Sequence, residues 1–228
     1  MAMSKPVLSG VGSGPSHRRM ARRSKDVVET VRTMIVSSEL PPGTIVNESQ
    51  LAERLGFGRT PVREALLLLA QEYLVKQVPG MGTTVAGLDI SEYAMAAECL
   101  EVFEPFAATL AAGRITDDEV RELEAILTEA RSAVERQDID LLVRLDLRFH
   151  DAVVDSTRNR YLADAAKRLG RFGAAFTRYF YGRGASFAQA VAEHERILEA
   201  LRNRDPDAAG RATKEHWHNG VERFRASL

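Results

Sequence analysis

Asp146 and His150 stand four residues apart in a run whose apolar positions, Leu142, Leu145, Phe149 and Val153, follow a helical period. Both side chains therefore fall on the face that turns toward a core. His194 is placed in the same way among Phe187, Val191, Ile197, Leu198 and Leu201, and His216 among Ala209, Ala212, Gly220, Val221 and Phe224. A single histidine on an apolar face is ordinarily a core side chain bonded to a carbonyl. Four polar groups on the inward faces of three helices point elsewhere, because each is costly to bury alone and one shared divalent cation satisfies them together. The nitrogen and oxygen donors suit Zn, Ni, Fe or Mn, with Zn the first expectation. The lack of thiolates argues against a closed structural zinc site, and an octahedral ion held by four side chains keeps positions open for water or a small molecule. His218 lies about 200° around the helix from His216 and faces outward. His17 sits in the N-terminal arm, and neither of these two is counted as a ligand.

A second group of residues is suited to nucleic acid. Arg59, Thr60 and Arg63 fall within about one turn at the start of a helix, where the arginines can donate paired hydrogen bonds to guanine O6 and N7. Thr60 and the free N–H groups of the helix start suit a phosphate. Gly80, in the Pro79-Gly80-Met81-Gly82 turn, lets the backbone approach a sugar-phosphate chain closely.

These residues need elements to hold them. The apolar pattern Val27, Val28, Val31, Met34, Ile35 predicts a helix that ends before Pro41-Pro42-Gly43. A short helix follows over about 48–55, then a Gly56-Phe57-Gly58 turn, then a helix from Arg59 or Thr60 with Pro61 in its first turn. Two extended segments, 74–78 and 83–85, flank the Pro/Gly turn as a β-hairpin. This order describes a winged helix-turn-helix over 25–86. Residues 1–24, with Arg18, Arg19, Arg22 and Arg23, read as a disordered basic arm, and 87–90 as a linker. From 91 to 228 the pattern is that of an all-α bundle. Ser91 is a candidate cap for its first helix, Thr116 with Glu119 a capping box, Asp138 a further start, Ser186 another cap, and Asp205-Pro206 a cap with an N1 proline. The fold class is mainly α.

Composition narrows the function. The chain has 228 residues, 45% hydrophobic and 28% charged, with a net charge of −1, which fits a packed globular protein. Residues 1–88 carry 11 Lys and Arg against 7 Asp and Glu, and the rest reverses this to 20 against 25. Only the front half is suited to a polyanion. One cysteine, Cys99, excludes an intrachain disulfide framework. No apolar run reaches membrane-helix length, so a cytoplasmic protein with no membrane partner is expected. No inward carboxylate or nucleophile stands beside the histidines at a spacing suited to acid–base work. A metal-dependent hydrolase is accordingly the weaker alternative to a DNA-binding protein, and a regulator whose metal is purely structural is the closer one.

The residues Leu51-Ala52-Glu53-Arg54-Leu55-Gly56 and Arg59-Thr60-Pro61-Val62-Arg63-Glu64-Ala65-Leu66, with Pro42-Gly43, Glu48, Leu74-Val75, Gly80 and Gly82, resemble the winged helix of bacterial GntR-family transcription regulators. Glu104-Pro105, Asp146-Leu147-Arg148-Phe149-His150, Asn159, Glu193-His194, Asp205 and His216 are similar to the FCD effector domain of the FadR-like branch. The resemblance implies a homodimeric regulator, most often a repressor, on a palindromic operator contacted through Arg59, Thr60, Arg63 and Gly80. It also implies metal ligation by Asp146, His150, His194 and His216, with a small carboxylate effector beside the metal. The chain departs from the pattern twice. Gly58 replaces a Ser or Thr, and Leu100 stands where many relatives carry an arginine, which leaves Arg171 and Arg178 as substitute effector-binding residues.

Overall fold

The computed structural model describes residues 15–80, 82–87, 89–181 and 187–226, without the side chains of 15–25, 176, 178–181 and 224. The first helix, α1, spans Pro15–Val36 and so starts well ahead of the apolar pattern. The expected arm is therefore helical from residue 15, while residues 1–14 lie outside the described part. The reason is local: proline is favoured in a first turn, and the Arg-, Met-, Ala- and Lys-rich stretch after it has no breaker.

α2 (Glu48–Leu55) is capped by the Asn47 side chain, which accepts from the Ser49 and Gln50 N–H groups. It closes at Gly56, whose φ of 68° ends a helix without the penalty a Cβ would bring. α3 (Arg59–Gln71) follows α2 after the three residues Gly56-Phe57-Gly58, the tight turn that a helix-turn-helix needs. The expected hairpin is present as β2 (Val75–Val78) and β3 (Gly82–Val85), and β1 (Ile45–Val46) joins it to give a three-stranded antiparallel sheet in the order β1-β3-β2. Two residues carry no periodicity, so β1 had no signal in the sequence. Val31, Met34, Val62, Leu66, Leu69, Leu74 and Val85 form one apolar core that fixes α3 against α1 and the sheet.

The second half consists of α4 (Ile90–Ala112), α5 (Asp117–Arg136), α6 (Ile139–Ser156), α7 (Arg160–Tyr181), α8 (Phe187–Arg202) and α9 (Pro206–Ala226). The cap of α4 is Asp89, which accepts from the Ser91 N–H, so Ser91 is inside the helix rather than its cap. An aspartate two residues earlier competes better because its charge suits the helix N-terminus. The Thr116–Glu119 capping box forms as expected, and Asp205 accepts from the Ala208 N–H. Ser186 lies outside the described residues.

α4 buries one face, from Ala96 and Leu100 to Ala111 and Ala112, and packs against α6, α7, α8 and α9. Its Pro105 lacks the N–H that would reach the residue 101 carbonyl, and stands directly after the buried Glu104. α9 crosses close to this point at Gly210, where a Cβ would sit 2.5 Å from Thr109 Oγ1. One surface of α4 remains open: Met95, Val102 and Phe106 are 58%, 65% and 55% exposed, with the exposed Cys99 in the same row.

The two halves touch through α1 and α7. A cleft of about 560 Å³ lies between Val28, Arg32, Leu68 and Glu72 on one side and Asp164, Lys167, Arg168 and Arg171 on the other. Tyr73 meets Phe172 edge to face, with ring centroids 6.5 Å apart. Among the described residues no helix is long and apolar enough to cross a membrane.

Candidate DNA interface and metal centre

At the start of α3, Gly58 provides no side-chain cap, so the first N–H groups remain free. Arg59, Thr60 and Arg63 are all exposed there, and neither arginine is engaged in an ion pair or hydrogen bond among the described residues. The helix is held from behind. Val62, Ala65, Leu66 and Leu69 are buried, and Arg32 of α1 bonds Glu72 through two nitrogens at 2.8 Å each. Gly80 has φ 78° and Gly82 φ 83°, the left-handed conformation that turns the hairpin tip and that a side chain would resist.

In the bundle, α6, α8 and α9 bring three rings together. His194 Nε2 lies 3.2 Å from His150 Nε2 and 3.2 Å from His216 Nε2. The ligand atoms of these three histidines all lie within 4.8 Å of one another, and Asp146 Oδ1 stands beside them, 3.7 Å from His194 Nε2. Phe149 stacks on His194 with centroids 4.4 Å apart. His218 is exposed and stands apart, as its spacing required.

The far sides of the rings are held by carboxylates. Glu104 Oε2 lies 3.3 Å from His150 Nδ1, and Glu193 Oε2 lies 2.8 Å from His216 Nδ1. A ring that donates its Nδ1–H to such a carboxylate and is otherwise deprotonated turns the lone pair of Nε2 toward the cluster, the form a metal ligand needs. Glu193 is fixed in turn by Asn219 Nδ2 at 3.0 Å and by the two terminal nitrogens of Arg223 at 2.6 and 2.8 Å. Burial disfavours the charged form of every ring. At His150 the Glu104 carboxylate outweighs burial and raises the ring to about 9. At His194 burial and the neighbouring cationic groups act together, and its proton affinity falls well below the ordinary histidine value. His216 is also lowered, by burial despite Glu193. Burial pushes the Glu193 carboxyl up, but His216 and Arg223 prevail and hold it at about 2.

This donor set fits a divalent cation. Nitrogens bound at about 2.1 Å to one ion stand roughly 3.0 to 3.4 Å apart for angles between octahedral and tetrahedral, and both short separations fall in that window. Without an ion, three imidazole nitrogens meet in a buried space where at most one neighbouring pair can share a proton.

Of the remaining expected residues, Arg171 pairs with Asp151 at 3.6 Å and lines the cleft toward the winged helix. It is not brought among the histidines. The Arg178 side chain lies outside the described residues. Leu100 is buried one turn before Glu104. Glu104, Glu193 and Arg223 are functional groups that spacing had not singled out. Glu193 sits one turn before Ile197, on the edge of the inward stripe, and Glu104 falls between the inward Leu100 and Ala108. A buried acid at such a position was a legible signal.

A winged helix with exposed arginines at the start of α3, joined through α1 and α7 to a helical domain that encloses a cluster of histidines, has the architecture of a DNA-binding regulator. The comparisons supply the family. Residues 23–85 match the family of bacterial regulatory proteins designated gntR, and residues 96–219 match the FCD domain. The chain belongs to the GntR family, as a member that carries an FCD domain. It is 31% identical over 208 residues to an HTH-type transcriptional regulator in an unstable DNA locus of Streptomyces ambofaciens, covering 89% of this chain and 86% of that one. It is 27% identical over 209 residues to the galactonate operon transcriptional repressor of Escherichia coli, covering 82% and 90%. The solved structure of E. coli McbR/YncC superposes with a TM-score of 0.79 at 21% identity over 90% of this chain and 97% of that one, which establishes the shared fold. Both of the sequence relatives are transcriptional regulators.

Proposed function

We propose that the chain is a homodimeric repressor whose affinity for a palindromic operator is set by a small organic acid bound beside a divalent metal. Arg59 and Arg63 read base edges in the major groove, Thr60 and the uncapped start of α3 hold a phosphate, and the wing at Gly80 lies along the backbone. Zinc is the preferred ion, on His150, His194 and His216 with Asp146; nickel, iron or manganese suits the same donors. When bound, the ion supplies a positive charge with open positions for a carboxylate. The observation that carries the reading is the meeting of three histidine Nε2 atoms at 3.2 Å spacing, two of them aimed by buried carboxylates.

The exposed apolar row of α4 supports the dimer, since Met95, Val102 and Phe106 recur on one side of the helix and a second copy would cover them. The galactonate repressor named above, a relative over 82% of the chain, supports an acid as the signal. Coupling to DNA runs through α6 and α7: Asp151 follows His150 directly, Arg171 binds Asp151, and the same stretch of α7 faces the Arg32–Glu72 pair behind the reading helix. An acid that favours one arrangement of this cleft changes operator affinity, commonly by about 5- to 150-fold. A metal that is only structural is the rival reading. The test is calorimetric. Acids that raise the melting temperature of the zinc-loaded protein, but not of the chelated protein, are titrated with and without an operator obtained by selection from random DNA. Reciprocity requires the operator to change acid affinity by the same factor, and equal affinities in the two titrations would leave only the structural metal.

A further inference from the structure

We infer that Trp217 selects the small molecule held at the histidine centre, through its indole N–H, and that the selected feature is an uncharged oxygen such as a hydroxyl of a hydroxy acid. This inference rests on the proposed acid-binding role of the centre. Trp217 is the only tryptophan of the chain and follows His216 on α9. Its ring lies 5.5 Å from the His150 ring and 5.9 Å from the His216 ring, so it forms one wall of the cluster. Its Nε1 is shielded from solvent and has no hydrogen-bond partner among the described residues. An indole N–H only donates, and a buried one ordinarily finds an acceptor.

Among the described residues no neighbouring group provides that acceptor. Glu104 is taken up by His150, Glu193 by His216, Asn219 and Arg223, and Asp151 by Arg171. The α4 position one turn before Glu104 is the apolar Leu100, only 2% exposed. An acceptor brought by a ligand satisfies the orphaned donor. With the carboxylate of an acid drawn to the cation at the histidines, the oxygen that reaches the indole is a second one. A neutral donor does not compensate the burial of a second negative charge, whereas a hydroxyl or carbonyl oxygen needs no cation.

The test compares the full-length zinc-loaded protein with Trp217→Phe, which keeps an aromatic wall and removes the N–H. The probes are gluconate, which carries a hydroxyl on every carbon after the carboxylate and so presents one at any reach, and hexanoate, which has the same six carbons and none. Calorimetry is expected to show gluconate weakened roughly 5- to 10-fold in the variant, the worth of one net hydrogen bond. Hexanoate affinity is expected to stay within about twofold, and zinc affinity and melting temperature to stay unchanged, as for one donor removed at constant bulk. Unchanged gluconate affinity, an equal loss on both acids, or a loss of zinc together with the indole would each overturn the inference. If the unsubstituted protein binds neither acid, the acid-binding role itself fails, and that outcome is recognised without the variant.

Discussion

Removing Glu193 tests whether the histidine centre is built as described. The carboxylate is 6% exposed and accepts from His216, Asn219 and both terminal nitrogens of Arg223, itself 13% exposed. At that burial the pair belongs with interior ion pairs, for which removing one partner costs about 3–5 kcal/mol. Glu193→Ala is therefore expected to lower the melting temperature of the metal-free protein by roughly 6–20 °C, taking about 2–4 °C per kcal/mol for a chain of this size. It is also expected to reduce zinc affinity about 10- to 100-fold, since His216 loses the acceptor that fixes its tautomer. Arg223→Ala removes two of the bonds to Glu193 but leaves those from His216 and Asn219, and is expected to cost less. In the double variant Glu193→Ala/Arg223→Ala neither charge remains, so the total should fall well short of the sum of the two. Thermal unfolding of all four proteins in chelator, with zinc competition alongside, gives the cycle. Additive costs, or zinc affinity unaltered in Glu193→Ala, would refute the view that this buried network orients His216.

Gly210→Ala would place a methyl 2.5 Å from Thr109 Oγ1, which is itself bonded to the Pro105 carbonyl, so α9 must move off α4. A destabilisation of about 1–3 kcal/mol is expected in urea titrations, with Gly210→Ala/Thr109→Ala recovering most of it. Arg59→Ala and Arg63→Ala are each expected to cost on the order of 1–3 kcal/mol on the selected operator and to relax discrimination at one base pair per half-site, read by anisotropy on operator variants. Glu119 receives two bonds from Arg158, at 2.6 and 2.9 Å, and these with Thr116 hold its carboxyl at about 2, below the ordinary 4.5. A lowered carboxyl stabilises the fold above about 4.5, and that contribution disappears as the pH falls toward about 2. Glu119→Gln is expected to flatten the acid limb of a stability-against-pH curve over this interval and to leave its shape above pH 6 unaltered.

Much of this architecture was legible because its signals are local. The capping box at Thr116 and Glu119, the glycine turn at 56–58 and the wing glycines each act within a few residues, and the helical stripes placed Asp146, His150, His194 and His216 inward by period alone. The start of α1 at Pro15 was missed because a polar helix has no stripe, and β1 because two residues have no period. The partners of the histidines were harder for another reason. Glu104 lies 46 residues from His150, and Glu193 lies 23 from His216, so each pairing depends on how helices pack. Arg171 was expected to bind an effector, but an arginine's reach covers many partners, and the packing of α6 on α7 pairs it with Asp151.

Pro105 gives α4 the properties of a lever. The proline breaks the hydrogen-bond ladder directly beside Glu104, the residue in contact with His150, and from there the helix runs uninterrupted back to Ile90 at the junction with the winged helix. That arm is about 22 Å long at 1.5 Å per residue. A tilt of only about 5° at the break carries its far end through about 2 Å, a displacement large enough to change how a packed interface interlocks. A shift of the His150 ring that tilted α4 at this break would therefore reach the junction with the winged helix enlarged, with no loop melting and no domain unfolding.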